Sequence, residues 1–283
     1  MDYYSYTLED FKRVRPDWEF LAFSSLDEQN TFFADDLIKR IKANEEKGRK
    51  TVVCLPVGPI DYGYLARLSN SKNISLKGLV IFFMDEYCDA GGNYIDIGHP
   101  LSFKGFIGKN FLSLLKEENR MPESSIIFPN AKDPAETLSK IGSFGGIEVT
   151  YGGFGITGHL AFNDPPDEEK DRTEENVRYS SVRKVRLSRE TLVQNAIAGT
   201  SGNMELIPPY AATLGMKEML SAGEIHAYLL RTWHSGVMRR VLFGPVGPDC
   251  PSSYVQLHKK VRVCMTPDVL KVPPVNVTLN IGA

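Results

Sequence analysis

The amino-acid sequence predicts an α/β fold in which a mostly parallel sheet carries helices on both faces. Short apolar segments of strand length recur along the chain, and amphipathic segments separate them. Strands that alternate with helices form parallel sheets, because each helix carries the chain back to the end of the sheet where the previous strand began. No internal repeat or low-complexity linker divides the chain, so we expect one domain over residues 1–283.

Six apolar segments are predicted as strands, since each is short and most are rich in β-branched or aromatic residues. They are TVVCL (51–55), LVIFFM (79–84), IIF (126–128), GIEVTY (146–151), HAYLL (226–230) and KVRVCM (260–265).

Helices are predicted between these strands. A capping box at Ser25-Leu-Asp-Glu28 precedes a helix with a core face of Phe33, Leu37 and Ile41. Further helices are expected around YLARL (64–68) and SGVMRRVLFG (235–244), and an amphipathic one over 103–118 with Phe106, Phe111 and Leu115 in the core. The polar residues after Asp164 predict an exposed acidic insertion over about 165–182.

Composition excludes several classes of protein. A formal net charge of -2 lacks the basic excess of a nucleic-acid-binding surface, so no nucleic-acid partner is expected. The N-terminus has no signal-peptide core, and no apolar run is long enough to span a membrane. The four cysteines lie far apart, which is typical of reduced thiols. We therefore expect a cytoplasmic protein with no membrane partner, and the scattered cysteines and histidines do not indicate a metal site.

Three predicted strands end in unusual residues. TVVCL is followed by Pro56-Val-Gly58-Pro59, LVIFFM by Asp85-Glu86-Tyr87, and GIEVTY by a glycine loop that leads to His159. Ligands of such sheets bind at the carboxyl ends of the strands. The three segments should therefore converge on one crevice.

The glycine loop contains Gly153-Phe-Gly155-Ile-Thr-Gly158, which has the spacing of a dinucleotide-binding turn. That motif needs an early position, a long helix after the third glycine and an acid about 20 residues later. Here the loop begins past the middle of the chain, and Pro165-Pro166 prevent a long helix. The spacing is therefore interpreted as accidental.

A second interpretation is that the glycines present His159 at the strand end, with Asp164 close enough to orient its imidazole. A carboxylate on one ring nitrogen fixes the tautomer and leaves the other nitrogen for proton transfer. The alternative is a glycine-rich turn with a surface histidine, and this stretch alone does not decide between them.

Asp85 and Glu86 present a similar choice between a solvated strand end and a functional pair. Adjacent residues of an extended segment point to opposite faces, so at most one should enter the crevice. Burial at an apolar strand end would favour an aspartate acting as a base.

Four segments together resemble the glucosamine-6-phosphate deaminase/isomerase family, whose relatives include 6-phosphogluconolactonases. The likeness runs from about residue 37 to residue 265, and this chain resembles a divergent member. The segments are FFMDEY (82–87), HPLSFKGFIGKNFLSLL (99–115), GFGITGHLAFNDP (153–165) and YVQLHKKVRVCMTPD (254–268).

The resemblance implies a single Rossmann-like three-layer α/β/α sandwich that acts on an amino sugar or sugar phosphate. It implies that Asp85 moves a proton between C1 and C2, that His159 opens the pyranose, and that Asp164 holds the histidine. Ammonia would be released with no metal or organic cofactor, and the resemblance is compatible with a homo-oligomer. Further substrate-binding candidates are Gly58, Pro59, Glu86, Gly155, Thr157, Gly158 and His234.

The sequence departs from the family pattern in two respects, the catalytic loop and the phosphate site. Thr157 stands where the family has an aspartate, and Asp164 replaces a glutamate, so we expect a longer contact to His159. The family's glycine- and hydroxyl-rich phosphate loop is Val57-Gly-Pro-Ile60 here, and its phosphate-binding arginine and lysine fall near Ile197 and His234. These changes predict an altered phosphate site.

Three functions remain open. The first is a deaminase/isomerase for a glucosamine-6-phosphate-like or galactosamine-6-phosphate-like substrate. The second is a lactonase-like hydrolase in which His159 activates water. The third is a catalytically silent or sugar-sensing protein of the same fold.

Overall fold

The computed structural model describes residues 2–58 and 60–274 and has the predicted α/β architecture. The strands are β1 Glu19–Ala22, β2 Thr51–Leu55, β3 Leu79–Phe83, β4 Asp85–Cys88, β5 Ile126–Ile127, β6 Val149–Gly152, β7 Arg183–Arg186, β8 Tyr210–Thr213, β9 Glu224–Leu229 and β10 Val261–Met265. The α-helices are α1 Leu8–Val14, α2 Leu26–Glu45, α3 Tyr62–Ser71, α4 Phe103–Asn110, α5 Pro134–Ser143, α6 Glu174–Val177, α7 Arg189–Gly199, α8 Met216–Leu220, α9 His234–Phe243 and α10 Pro267–Leu270.

Seven strands form one parallel sheet in the order β1-β10-β9-β6-β2-β3-β5. The six strands predicted from the sequence all belong to it, whereas the edge strand β1 was not predicted. From β2 the chain adds β3 and β5 on one side, and then returns to add β6, β9 and β10 on the other. The order therefore reverses between β2 and β6, and such a reversal opens a crevice at the carboxyl ends of the strands.

The central strands are buried on both faces, which explains why they read as continuous apolar runs. In β2, Val53 and Leu55 pack against α2 and α3, while Val52 and Cys54 face α5 and α8 on the other side. Helices α1 and α9 pack on this second face of the sheet as well, against β9 and β10. This is the predicted three-layer sandwich.

Helix α2 begins as the sequence predicts. The Ser25 hydroxyl accepts a hydrogen bond from the Glu28 amide at 3.1 Å, although the Glu28 carboxylate returns to the Ser24 amide and not to that of Ser25. The core face of the helix, with Phe33, Leu37 and Ile41, is buried.

The amphipathic segment after Ser102 is shorter than predicted. Helix α4 ends at Asn110, and a 3-10 turn over Leu112–Leu114 follows it. Phe111 and Leu115 are buried as expected, but the prediction of Phe106 as a core residue is wrong, because its side chain is 42% exposed. Its neighbours Gly105 and Ile107 face the protein interior. The side chain of Phe106 points the other way and lines the cavity described below.

A second, antiparallel sheet of β4, β8 and β7 was not predicted from the sequence. The chain passes from β3 into β4 through Met84 alone, so the residues after LVIFFM do not form a free strand end but begin a new strand. Asp85 pairs with Thr213 and Glu86 with Ala212 in this sheet.

The predicted acidic insertion is exposed over residues 167–176, but Val177, Ser180 and Val182 are buried. The Ser180 hydroxyl accepts a hydrogen bond from the Met216 amide, which ties the end of this segment to α8. Across the described part of the chain, no helix combines the length and the apolar character that crossing a membrane requires.

Candidate active site

A cavity of about 540 Å³ lies at the carboxyl ends of β2, β3, β6 and β9, where the strand order reverses. The predicted convergence of three strand ends is therefore confirmed. Five of the candidate site residues line this cavity, namely Gly58, Asp85, Gly155, His159 and His234.

The other candidates lie elsewhere. Thr157 and Asp164 contact Nδ1 of His159, and neither residue lines the cavity. Glu86 and Gly158 do not line the cavity, and Pro59 is outside the described residues.

His159 is held by Asp164, with 2.8 Å between Nδ1 of the imidazole and Oδ1 of the carboxylate. Both side chains are less than a tenth exposed. The expectation of a longer contact is wrong, because the shorter aspartate still makes a hydrogen bond of ordinary length. Since the carboxylate accepts, Nδ1 carries the proton and Nε2 remains for a ligand.

Asp164 accepts three further hydrogen bonds. The hydroxyl groups of Thr157 and Thr191 donate to Oδ1 at 2.8 and 2.7 Å, and the Ser188 amide donates to Oδ2 at 3.2 Å. Burial by itself would raise the pKa of Asp164, but the hydrogen bond and charge of His159 and the two hydroxyl donors hold that pKa well below its usual range. Thr157 thus supports the carboxylate.

The glycine loop is shaped around the histidine. The Gly155 amide donates to the carbonyl of His159 at 2.9 Å, and the Gly158 amide donates to the carbonyl of Gly155 at 2.8 Å. A Cβ atom on Gly155 would collide with Nε2 of His159, and Gly158 has a φ of +82°. These two glycines therefore leave room for the imidazole and form the turn that carries it, in agreement with the second interpretation of the sequence.

The turn continues through Ala161, which has a φ of 52° although it is not a glycine. The left-handed conformation costs a residue with a Cβ about 1–2 kcal/mol. The amide group of Asn163 donates to the carbonyls of Leu160 and Leu214 at 2.9 Å each, and these bonds hold the turn in place. Ala161 can therefore form part of the cavity wall.

Asp85 is 7% exposed and faces the cavity. Burial, together with the neighbouring negative charge of Glu86, raises the pKa of Asp85 to about 8. A carboxyl group with such a pKa exchanges a proton readily near neutral pH.

Glu86 points to the opposite face of β4, as the alternation of an extended strand requires. Its carboxylate accepts hydrogen bonds from the amides of Tyr87, Phe103 and Lys104 and from the hydroxyl of Ser102, at 2.7–3.2 Å. Burial nevertheless raises the pKa of Glu86. This residue caps the N-terminus of α4 and places that helix beside the cavity.

His234 is the first residue of α9 and is 5% exposed. Its Nδ1 accepts hydrogen bonds from the amides of Leu230 and Arg231 at 3.0 and 3.2 Å. Burial and the charge of Arg231 lower the pKa of His234 to about 3. The ring is therefore neutral at physiological pH, and Nε2 carries its single proton.

Several residues of the site were missed by sequence reasoning. They include Thr191 and Ser188 behind His159, Asn195, whose amide donates to the Tyr87 hydroxyl at 2.9 Å, the aromatic wall of Phe103 and Phe162, and Arg231. Their contacts join segments far apart in the chain, so local patterns did not reveal them. Within residues 2–58 and 60–274, no group of three histidine, cysteine or acidic side chains is arranged to hold a metal ion.

The fold and the carboxylate-held histidine define an α/β enzyme of the deaminase and lactonase class. The solved structure of a monomeric glucosamine-6-phosphate deaminase superposes with a TM-score of 0.76 at 20% identity, over 90% of this chain and 100% of the other. A 6-phosphogluconolactonase from Thermotoga maritima superposes with a TM-score of 0.61 at 12% identity, over 88% and 99%.

Sequence comparison identifies the family more narrowly. A glucosamine-6-phosphate deaminase of Aliivibrio fischeri (strain MJ11) is 31% identical over 246 residues, 83% of this chain and 85% of that protein. Another from Dictyostelium discoideum is 30% identical over 251 residues, 84% of this chain and 87% of that protein. No family model matches the sequence. On these similarities, the chain belongs to the glucosamine-6-phosphate deaminase family.

We predict that Gly155→Ala lowers the free energy of unfolding by about 1–3 kcal/mol, because the new methyl group overlaps an imidazole that Asp164 holds in place. Gly142→Ala is the matched control, since a Cβ there meets open space on α5, and it should be neutral or slightly stabilising. Urea unfolding compares the variants with wild type. Equal losses in both would contradict the packing of His159 on Gly155.

We also predict a pH-dependent stability difference between wild type and Asp85→Asn. The folded protein holds a proton on Asp85 up to a pKa of about 8, whereas the unfolded chain releases it near pH 4. The wild type therefore loses stability from this group as pH rises from about 4 to 8, on the order of 1 kcal/mol per pH unit.

Asparagine removes that loss, so the stability of Asp85→Asn relative to wild type should increase with pH. Urea unfolding at pH 5, 6, 7 and 8 measures the difference. Parallel pH profiles of the two proteins would show that Asp85 is not a buried group with a raised pKa.

Proposed function

We propose that this protein is an amino-sugar deaminase and isomerase, which converts an amino aldose related to glucosamine 6-phosphate into a ketose and ammonia. The observation that supports this most directly is that Asp85 and His159 line the same cavity. One is a buried carboxyl with a pKa of about 8, and the other has a fixed tautomer with Nε2 available. An aldose–ketose conversion needs both a base and a proton donor.

In the proposed reaction, His159 first opens the sugar ring. Nε2 accepts the proton of the C1 hydroxyl and delivers a proton to the ring oxygen as the bond from C1 to that oxygen breaks, which gives the aldehyde. Asp164 keeps Nδ1 protonated and offsets the positive charge of the ring. Thr157 and Thr191 keep Asp164 ionised through their hydrogen bonds.

Asp85 then carries a proton from C2 to C1. Its carboxylate removes the C2 proton while a proton of the substrate ammonium passes to the C1 oxygen, which gives an enolamine. The protonated carboxyl then returns its proton to C1, which leaves an iminium at C2. Water adds to the iminium, a proton passes from the added oxygen to the nitrogen, and ammonium leaves to give the ketone. A base is most efficient when its pKa lies near the working pH, and a pKa of about 8 meets that condition.

The part of the site that would hold the end of the sugar remote from C1 differs from the family pattern. Ile197, near which the family's phosphate-binding arginine falls, is 71% exposed and does not line the cavity. His234, near which the family's lysine falls, lines the cavity as a neutral ring. Val57, in place of a hydroxyl residue, is buried.

We predict that ammonia release from a panel of amino sugars, each with and without a 6-phosphate, identifies a substrate. Asp85→Asn and His159→Ala should each lower kcat by about 100- to 10,000-fold, the range expected for loss of a general base or acid. The exposed Asp17→Asn is the matched control and should keep wild-type activity.

Three results would contradict the proposal. Full activity of Asp85→Asn would remove Asp85 as the base. Hydrolysis of 6-phosphogluconolactone without ammonia release from any amino sugar would identify a lactonase, and sugar binding without turnover would identify a sensor.

A further inference from the structure

Arg231 lies between β9 and α9 and lines the cavity, where its side chain is exposed. Among the described cavity-lining residues it is the only lysine or arginine. Its guanidinium makes no ion pair or hydrogen bond within the described part of the chain. A cation without a protein partner at a cavity is free to meet a ligand.

Other arginines around this region are already occupied. Arg172 pairs with Asp249 at 3.0 Å, and Arg178 pairs with Glu174. Arg240 donates to the carbonyl oxygens of Thr157 and Asp249. These three guanidinium groups thus bind other parts of the protein, whereas that of Arg231 has no partner among residues 2–58 and 60–274.

His234 lies three residues after Arg231 and shapes the same part of the wall. Its Nδ1 is fully used by the amides of Leu230 and Arg231, which turn the loop around the ring. Its Nε2–H has no protein acceptor within the described residues, and so it can donate to a ligand without adding charge. Arg231 therefore offers a charged guanidinium group to a ligand, and His234 offers a neutral N–H donor.

The position of these groups relative to the reacting centre fits one substrate molecule. Arg231 and His234 follow β9, and His159 follows β6, which pairs with β9 in parallel. The Cα of Gly153 lies so close to the carbonyl of Tyr228 that an added Cβ would be 3.3 Å away. The loops after the two strands thus leave the sheet side by side.

We propose that Arg231 is the specificity-determining cation of this site and binds an oxyanion substituent of the substrate, a phosphate or a carboxylate, with the Nε2–H of His234 as a second donor. This inference rests on the proposed function and adds the chemical class of the distal group. Guanidinium suits such a group because its planar fork can donate two parallel hydrogen bonds to two oxygens.

The test compares wild type, Arg231→Gln and the matched control Arg67→Gln, whose arginine is 66% exposed beside Asp61 and does not line the cavity. Ammonia release is measured with glucosamine 6-phosphate, glucosamine and an amino hexuronic acid. Binding of inorganic phosphate is measured by calorimetry, so that one readout does not depend on turnover.

We expect Arg231→Gln to raise the KM for the preferred anionic sugar about 10- to 100-fold, the usual loss for a charge-assisted hydrogen bond. Its kcat, and its KM for neutral glucosamine, should stay near wild type, and Arg67→Gln should resemble wild type throughout. Phosphate binding should weaken in Arg231→Gln alone. The phosphate and carboxylate sugars decide which oxyanion is used.

Equal KM values of wild type and Arg231→Gln for the anionic sugars, or a wild-type preference for neutral glucosamine, would overturn the inference while leaving the deaminase reaction intact. Absence of ammonia from every sugar would instead refute the proposed function. In that case, phosphate binding that is unaffected by Arg231→Gln would also overturn the role of Arg231.

Discussion

The hydrogen bond between His159 and Asp164 is the interaction on which the site depends. It sets the tautomer of the imidazole, and it requires a glycine at position 155 because Nε2 lies against that residue. It also gathers Thr157 and Thr191 around one carboxylate oxygen, which joins the glycine loop to α7. Thr157 therefore contributes a hydroxyl donor to this network.

Asp85 depends on a different constraint, the passage of the chain from the parallel sheet into the antiparallel one. Because β4 starts directly after Met84, Asp85 and Glu86 alternate between the cavity and the N-terminus of α4. Glu86 fixes α4, and its charge adds to the effect of burial on the pKa of Asp85. One dipeptide thus supplies both a reactive carboxyl and part of the cavity wall.

Much of this arrangement could be predicted from the sequence, because strands of the parallel sheet are buried on both faces and carry a strong apolar signal. TVVCL matches β2 residue for residue, and the convergence of its end with His159 followed from sheet geometry. The antiparallel sheet was missed because short strands such as β8, with the sequence YAAT, carry no such signal. The contacts of Thr191, and the lack of a partner for Arg231 among the described residues, depend on tertiary structure alone.

The central claim is that Asp164 holds His159 in the tautomer protonated at Nδ1, which leaves Nε2 for the substrate. Nitrogen-15 NMR of the imidazoles, with His159→Gln to assign the signal, measures this most directly. At a pH where the ring is neutral, we expect a protonated Nδ1 and an unprotonated Nε2 in wild type, and loss of that preference in Asp164→Asn. A neutral wild-type ring that carries its proton on Nε2 and not on Nδ1 would contradict the account.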